Sequence, residues 1–174
     1  IVGAPFESAD GKQKAGRAYL ISGSDGRVLV PLSSPKPSEY GGFGSAVSPV
    51  GDLNEDGAAD FIVGAPEEPA SAKDQAGKVY LFSGADGTLL RTYSSPNTEK
   101  NGAFGRSVAG VDDANGDGTP DLLVGAPLES IQETQQTGRA YLISGAEDLI
   151  LRTFFSPKAT HWGNFGQEVA RAGD

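Results

Sequence analysis

The sequence contains no cysteine. That excludes a disulfide scaffold, a cysteine-ligated zinc site and a thiol nucleophile. One histidine in 174 residues also excludes a multi-histidine metal site within a single chain. Apolar runs end after five or six residues, well short of the roughly 20 needed to span a bilayer as a helix, so no membrane insertion is expected. Positive charge is scarce. Fourteen Lys and Arg face 23 Asp and Glu, for a net charge of −9, which argues against a nucleic-acid or anionic-membrane surface. No stretch carries a sustained i, i+3, i+4, i+7 apolar stripe with helix caps. No signal peptide is visible, but the sequence starts at Ile1 inside a motif, so a preceding targeting segment is not addressed by it. What the chain has in excess is punctuation. Its 25 Gly and 11 Pro make up about a fifth of the residues, against roughly an eighth on average. With 37% hydrophobic and 21% charged residues, it has the makings of one packed domain rather than of a disordered segment.

That punctuation is periodic. Val2-Gly3-Ala4-Pro5 recurs at 63–66 and 124–127, a step of 61 both times. Phe43-Gly44 recurs at 104–105 and 165–166, and Ser22-Gly23 at 83–84 and 144–145. The octapeptide GRAYLISG occupies 16–23 and, unchanged, 138–145, with GKVYLFSG at 77–84. One period holds four short apolar runs bounded by Gly, Pro, Asp and Ser, which predict strands over 104–111, 121–126, 138–144 and 149–155. Gly23-Ser24-Asp25-Gly26 and Gly84-Ala85-Asp86-Gly87 predict tight hairpin turns. The third copy has Glu147-Asp148 there, which predicts a different turn. Four antiparallel strands repeating every 40–60 residues are the signature of a β-propeller blade. The alternative is a β-solenoid, whose coils are usually shorter and lack Asp-Gly hairpins. The expected fold is therefore all-β, with three blade-equivalents: 1–42 as strands two to four of a blade, 43–103 and 104–164 as complete blades, and 165–174 as the first strand of another.

Between the first and second strands lies an acidic loop. Residues 52–60 and 113–121 both fit D-x-N-x-D-G-x-x-D. Hard oxygens at positions 1, 3, 5 and 9, with a backbone carbonyl at 7, suit Ca²⁺. Gly57 and Gly118 stand where the chain must turn sharply. Without a cation, three carboxylates would repel one another at short range. The twelfth position is Val63 or Val124, not a bidentate Glu, and strands flank the loop, so this is not an EF-hand. Three charges without that Glu predict affinity of order ~10⁻⁶ to 10⁻³ M, and a structural role. An Asx-rich turn without metal is the plain alternative, but it does not account for four side-chain ligands in register twice.

Phe43-Gly44, then D-x-N-x-D-G-x-x-D, then Gly64-Ala65-Pro66 resembles the FG-GAP repeat of integrin α-subunit β-propellers and related bacterial extracellular proteins. The resemblance covers the whole chain. It implies a seven-bladed propeller in a full family member, calcium in the first-to-second-strand loops, and a role in adhesion or ligand binding at an extracellular or cell-surface location. By this resemblance the calcium ligands are Asp52, Asn54, Asp56, Ala58 (carbonyl) and Asp60, and Asp113, Asn115, Asp117, Thr119 (carbonyl) and Asp121. The departure is in copy number, three units rather than seven. No Arg-Gly-Asp or N-glycosylation sequon is present.

Asp174 stands 61 after Asp113, at position 1 of a third such loop. Two readings follow for the ends: further blades come from the same longer chain, or a second copy completes the ring. The calcium loops and Asp-Gly turns are expected on one face. The opposite face would carry the varied loops 6–15, 67–76, 128–137, 33–42, 94–103 and 155–164, a distribution that suits a binding scaffold. Tyr40, His161 and Trp162 are the candidate anchors there for a protein or glycan ligand, though Trp162 could equally pack between blades. No G-x-S-x-G, H-E-x-x-H or G-x-x-x-x-G-K-[ST] occurs. A non-catalytic, calcium-stabilised adhesion module is the expected function. A structural or assembly subunit is the second reading, and the propeller part of a hydrolase or lyase the third.

Overall fold

A computed structural model of the chain describes residues 1–70, 75–132 and 134–172. Its eleven strands form three antiparallel meanders. The first sheet is β1 (Val2–Ala4), β2 (Arg17–Ile21) and β3 (Val28–Leu32). The second is β4 (Ala46–Pro49), β5 (Phe61–Ala65), β6 (Lys78–Phe82) and β7 (Leu89–Tyr93). The third is β8 (Ser107–Val111), β9 (Asp121–Ala126), β10 (Arg139–Ile143) and β11 (Ile150–Phe154). No helix occurs among the described residues. Neighbouring sheets meet through their first and second strands, β1 with β4, and β4 and β5 with β8. Contact at inner strands, with the outer ones fanning apart, is blade packing around an axis.

The period-2 alternation of side chains gives the middle blade two buried faces. On β6, Tyr80 and Phe82 point into the core shared with the first blade, while Val79 and Leu81 point into the core shared with the third. On β5, Phe61, Val63 and Ala65 face one way and Ile62 the other. Continuous apolar runs such as FIVGA follow from burial on both sides. Phe43 and Phe104 are fully buried in these two cores, against Tyr80 and Tyr141 respectively, with ring centroids 5.8 Å apart in both pairs.

Each third-to-fourth strand pairing carries an irregularity at the same repeat position, after Leu20, Leu81 and Leu142. The two Asp-Gly turns close with Gly26 N–H on Ser22 O and Gly87 N–H on Ser83 O, both at 2.9 Å. The third turn differs, as its residues predict. Glu147 N–H donates to Ser144 Oγ instead, and Arg91 of β7 donates to the carbonyls of Gly145 and Ala146. Segment 165–172, expected as a strand, forms none. Phe165 makes an isolated bridge to Gly138, as Phe43 does to Gly16 and Phe104 to Gly77. A first strand is held by the ladder to its own second strand, as β4 is to β5, and no described strand pairs with 165–172.

Candidate functional site

The two acidic loops leave β4 and β8 and return as β5 and β9, and both fold on the same hydrogen bonds. In the first, Asp52 accepts from the N–H of Asp56 and Gly57, Asn54 Oδ1 from Asp56 N–H, and Asp56 Oδ1 from Ala58 N–H, at 2.8–3.2 Å. In the second, Asp113 accepts from Gly116, Asp117 and Gly118, Asn115 from Asp117, and Asp117 from Thr119, at 2.7–3.1 Å. Gly57 and Gly118 turn at φ 90° and 89°. The ninth-position aspartates are fully buried. Asp60 accepts from Leu53 and Gly84 N–H, and Asp121 from Ala114 and Gly145 N–H. Each thereby ties its loop to the hairpin turn of the same blade, which puts loop and turn on one face.

Carboxylate oxygens of Asp52, Asp56 and Asp60 lie within 4.8 Å of one another, the one such trio among the described residues. This donor set is all hard oxygen, as a calcium site requires, and the residues present fit that ion. The Asp113–Asp117–Asp121 loop repeats the hydrogen bonds without bringing its carboxylates so close. Expected repulsion is partly offset by the N–H donors. The Asn54 amide, then the Ser83 hydroxyl, hold the Asp56 carboxyl below the usual carboxylate range, and Asn115 heads the same effect at Asp117. Ser83 and Ser144, whose hydroxyls bond Asp56 and Asp117 at 2.8 and 3.4 Å, were not singled out from sequence as loop partners. Their recurrence in the invariant Ser-Gly pair was the available signal. Ala58 and Thr119 sit at the position-7 carbonyl of each loop. Asp174 lies outside the described residues.

On the opposite face, loops pair across blades. Tyr40 N–H donates to Gln13 O, Gly42 to Lys14 O and Phe43 to Ala15 O. Trp162 to Gln135 O, Asn164 to Gln136 O and Phe165 to Thr137 O repeat the zipper two blades on. It holds Tyr40 and Trp162 in the left-handed region, φ 59° and 64°, with side chains 51% and 63% exposed. Trp162 stands in solvent in this chain. His161 is occupied locally, its Nδ1 accepting from Gln135 N–H at 3.2 Å.

Two further pairs recur with the repeat and were not singled out from sequence. Tyr80 donates to Glu68 and Tyr141 to Glu129, with all four residues buried. Ser34 and Ser95 of the preceding blade donate to the same tyrosine hydroxyls at 3.3 Å. Burial pushes both glutamates up. Their 61-residue spacing was the visible signal.

A family described as FG-GAP repeat matches residues 43–82 and 104–143. Integrin alpha-2 of Mus musculus is 33% identical over 90% of this chain, and that of Bos taurus 35% identical over 97%. The chain belongs to the FG-GAP repeat family. It spans 13–14% of the length of those integrin subunits. The phosphatidylinositol-glycan-specific phospholipase D of Bos taurus is 33% identical over 97% of the chain, which spans 21% of that enzyme. The FG-GAP name also marks the blade seam. Phe-Gly of one blade docks on the Gly-Ala-Pro of the preceding one, where a methyl at Gly64 would fall far inside 3.0 Å of the Gly105 carbonyl oxygen. Gly64 carries no positive φ, so close backbone approach alone explains the glycine.

Proposed function

We propose that this FG-GAP chain is a calcium-stabilised, non-catalytic propeller module of an extracellular or cell-surface protein. The face opposite the calcium loops binds a protein or glycan ligand. Further blades come from the same longer chain or from a second copy. The observation that carries the reading is the convergence of Asp52, Asp56 and Asp60 in a loop tied to its blade's hairpin turn. Calcium there is structural: Asp52, Asn54, Asp56 and Asp60 hold it with the Ala58 carbonyl, and Asp113, Asn115, Asp117 and Asp121 with that of Thr119. Similarity to integrin alpha subunits supports an adhesion-type module. Calcium titration by calorimetry, with melting curves in calcium and in EDTA, tests the metal. Binding that is reduced in Asp56→Ala and Asp117→Ala, and a melting temperature lowered by EDTA, are expected. An EDTA-insensitive melt refutes a structural ion.

The phospholipase D similarity favours one further reading, a propeller that accompanies a hydrolase. Turnover of a phosphodiester by this chain, abolished by changing an acidic residue outside the calcium loops, would establish it. A protein and glycan array run with and without EDTA separates a binding module from a spacer that only orders an assembly.

A further inference from the structure

On the loop face, a pocket of about 230 Å³ opens between Phe6, Lys14, Tyr40, Ser45, Glu67 and Arg106. Its charge does not cancel. Arg106 pairs with Glu67 at 3.2 Å, whereas Lys14 has no carboxylate within 4.0 Å among the described residues. Lys14 Nζ lies instead 5.9 Å from the Phe6 ring centroid and 5.7 Å from that of Tyr40. On a chain of net charge −9, this is a localised positive site walled by two aromatic rings. Both rings are open to solvent, and Phe6 is 78% exposed. Lys14 and Tyr40 are both held left-handed, φ 48° and 59°. The equivalent of Tyr40 one repeat later is Asn101, at φ 61°, a residue type that adopts this conformation more readily. The first blade thus keeps a bulky exposed aromatic where a cheaper residue serves the fold.

We propose that this pocket binds a carboxylate-bearing sugar residue, a hexuronate, with Lys14 on the carboxylate and Phe6 and Tyr40 against the ring. The inference rests on the reading of this face as a ligand surface and names the ligand class. A single sugar ring suits the small volume. The aromatic walls offer flat apolar surface to its C–H face while Lys14 meets the charge. An extended peptide fits less well, because the backbone bordering the pocket is already paired, Tyr40 and Gly42 N–H with Gln13 and Lys14 O. No open edge is left there for strand addition.

The test is a titration of the 174-residue chain with methyl β-D-glucuronoside, followed by amide and side-chain shifts in NMR. Its uncharged methyl ester and N-acetyl-aspartate N-methylamide serve as comparison probes. Saturable shifts at Phe6, Lys14 and Tyr40 are expected, weakened about tenfold by the ester and by Lys14→Gln. Phe6→Ala weakens binding too, with the melting temperature of both variants unchanged because the side chains are exposed. Equal binding of acid and ester, or an unaffected Lys14→Gln, overturns the proposal. Aspartate amide binding as tightly at the same residues overturns the sugar assignment. Array ligands that bind through Trp162, with no glucuronoside shifts in this pocket, overturn the pocket and leave the ligand face standing. Glucuronoside binding here beside a blank array supports the pocket and counts against the adhesion role.

Discussion

Replacing Gly64 by alanine tests the seam directly. Gly64 lies in β5 without positive φ, so the backbone conformation suits alanine, which by itself gains about 0.5–1 kcal/mol over glycine in a strand. Against this stands the Gly105 carbonyl of the next blade, which the new methyl would meet far inside 3.0 Å. Backbone lies on both sides, so the blades must separate. The upper end of the overpacking range applies, about 3 kcal/mol. For a chain of this size that lowers the melting temperature by roughly 6–12 °C. Gly26→Ala is the matched control. Gly26 has φ +73° and nothing within 4 Å of an added methyl, so only strain is paid, about 1 kcal/mol and ~2–4 °C. Differential scanning calorimetry in excess calcium reads both. If Gly64→Ala melts with the parent, or Gly26→Ala is the more damaging, the close approach does not hold the blades together.

Other perturbations separate the remaining contributions. Phe104→Ala should cost about 3–5 kcal/mol, since the ring is fully buried between blades; denaturant titration measures it. Glu68 has its carboxyl raised by burial, so its contribution is complete below the ordinary glutamate range and is lost as pH rises toward the folded value. Glu68→Gln should flatten that part of the stability profile; an unchanged profile counts against it. Asp56 and Asp117, held low by their neighbouring asparagines, act in the opposite sense. In EDTA their contribution is present above the ordinary aspartate range and is lost as pH falls through the depressed values. Melts of Asp56→Asn and Asp117→Asn between pH 3 and 6 should lack that acid limb.

Much of the architecture is legible because the repeat is ungapped. The runs FIVGA and DLLVGA read as doubly buried strands, and Glu147-Asp148 reads as an altered turn. Those are local signals. The acidic loops are legible because ligand spacing is a one-dimensional property. Two things are not local. Segment 165–172 has strand-like residues, yet a strand exists only against a partner. The Glu68–Tyr80–Ser34 group joins residues from two blades, so only periodicity, not spacing, points to it. Trp162 shows the same limit. Its residue type is equally at home in a core or on a surface, and only the backbone zipper that fixes its loop against 135–137 is visible here.

Because alternate residues of β5 and β6 belong to different cores, the middle sheet couples its two neighbours through two separate apolar junctions. A change on Ile62 or Leu81 is felt at one junction, and a change on Val63 or Tyr80 at the other. A single-residue register slip in β6 would exchange these assignments wholesale, placing two aromatic rings where smaller aliphatics now fit and leaving the other junction underfilled. Evolution can therefore add or drop whole 61-residue units far more cheaply than it can insert one residue within a strand.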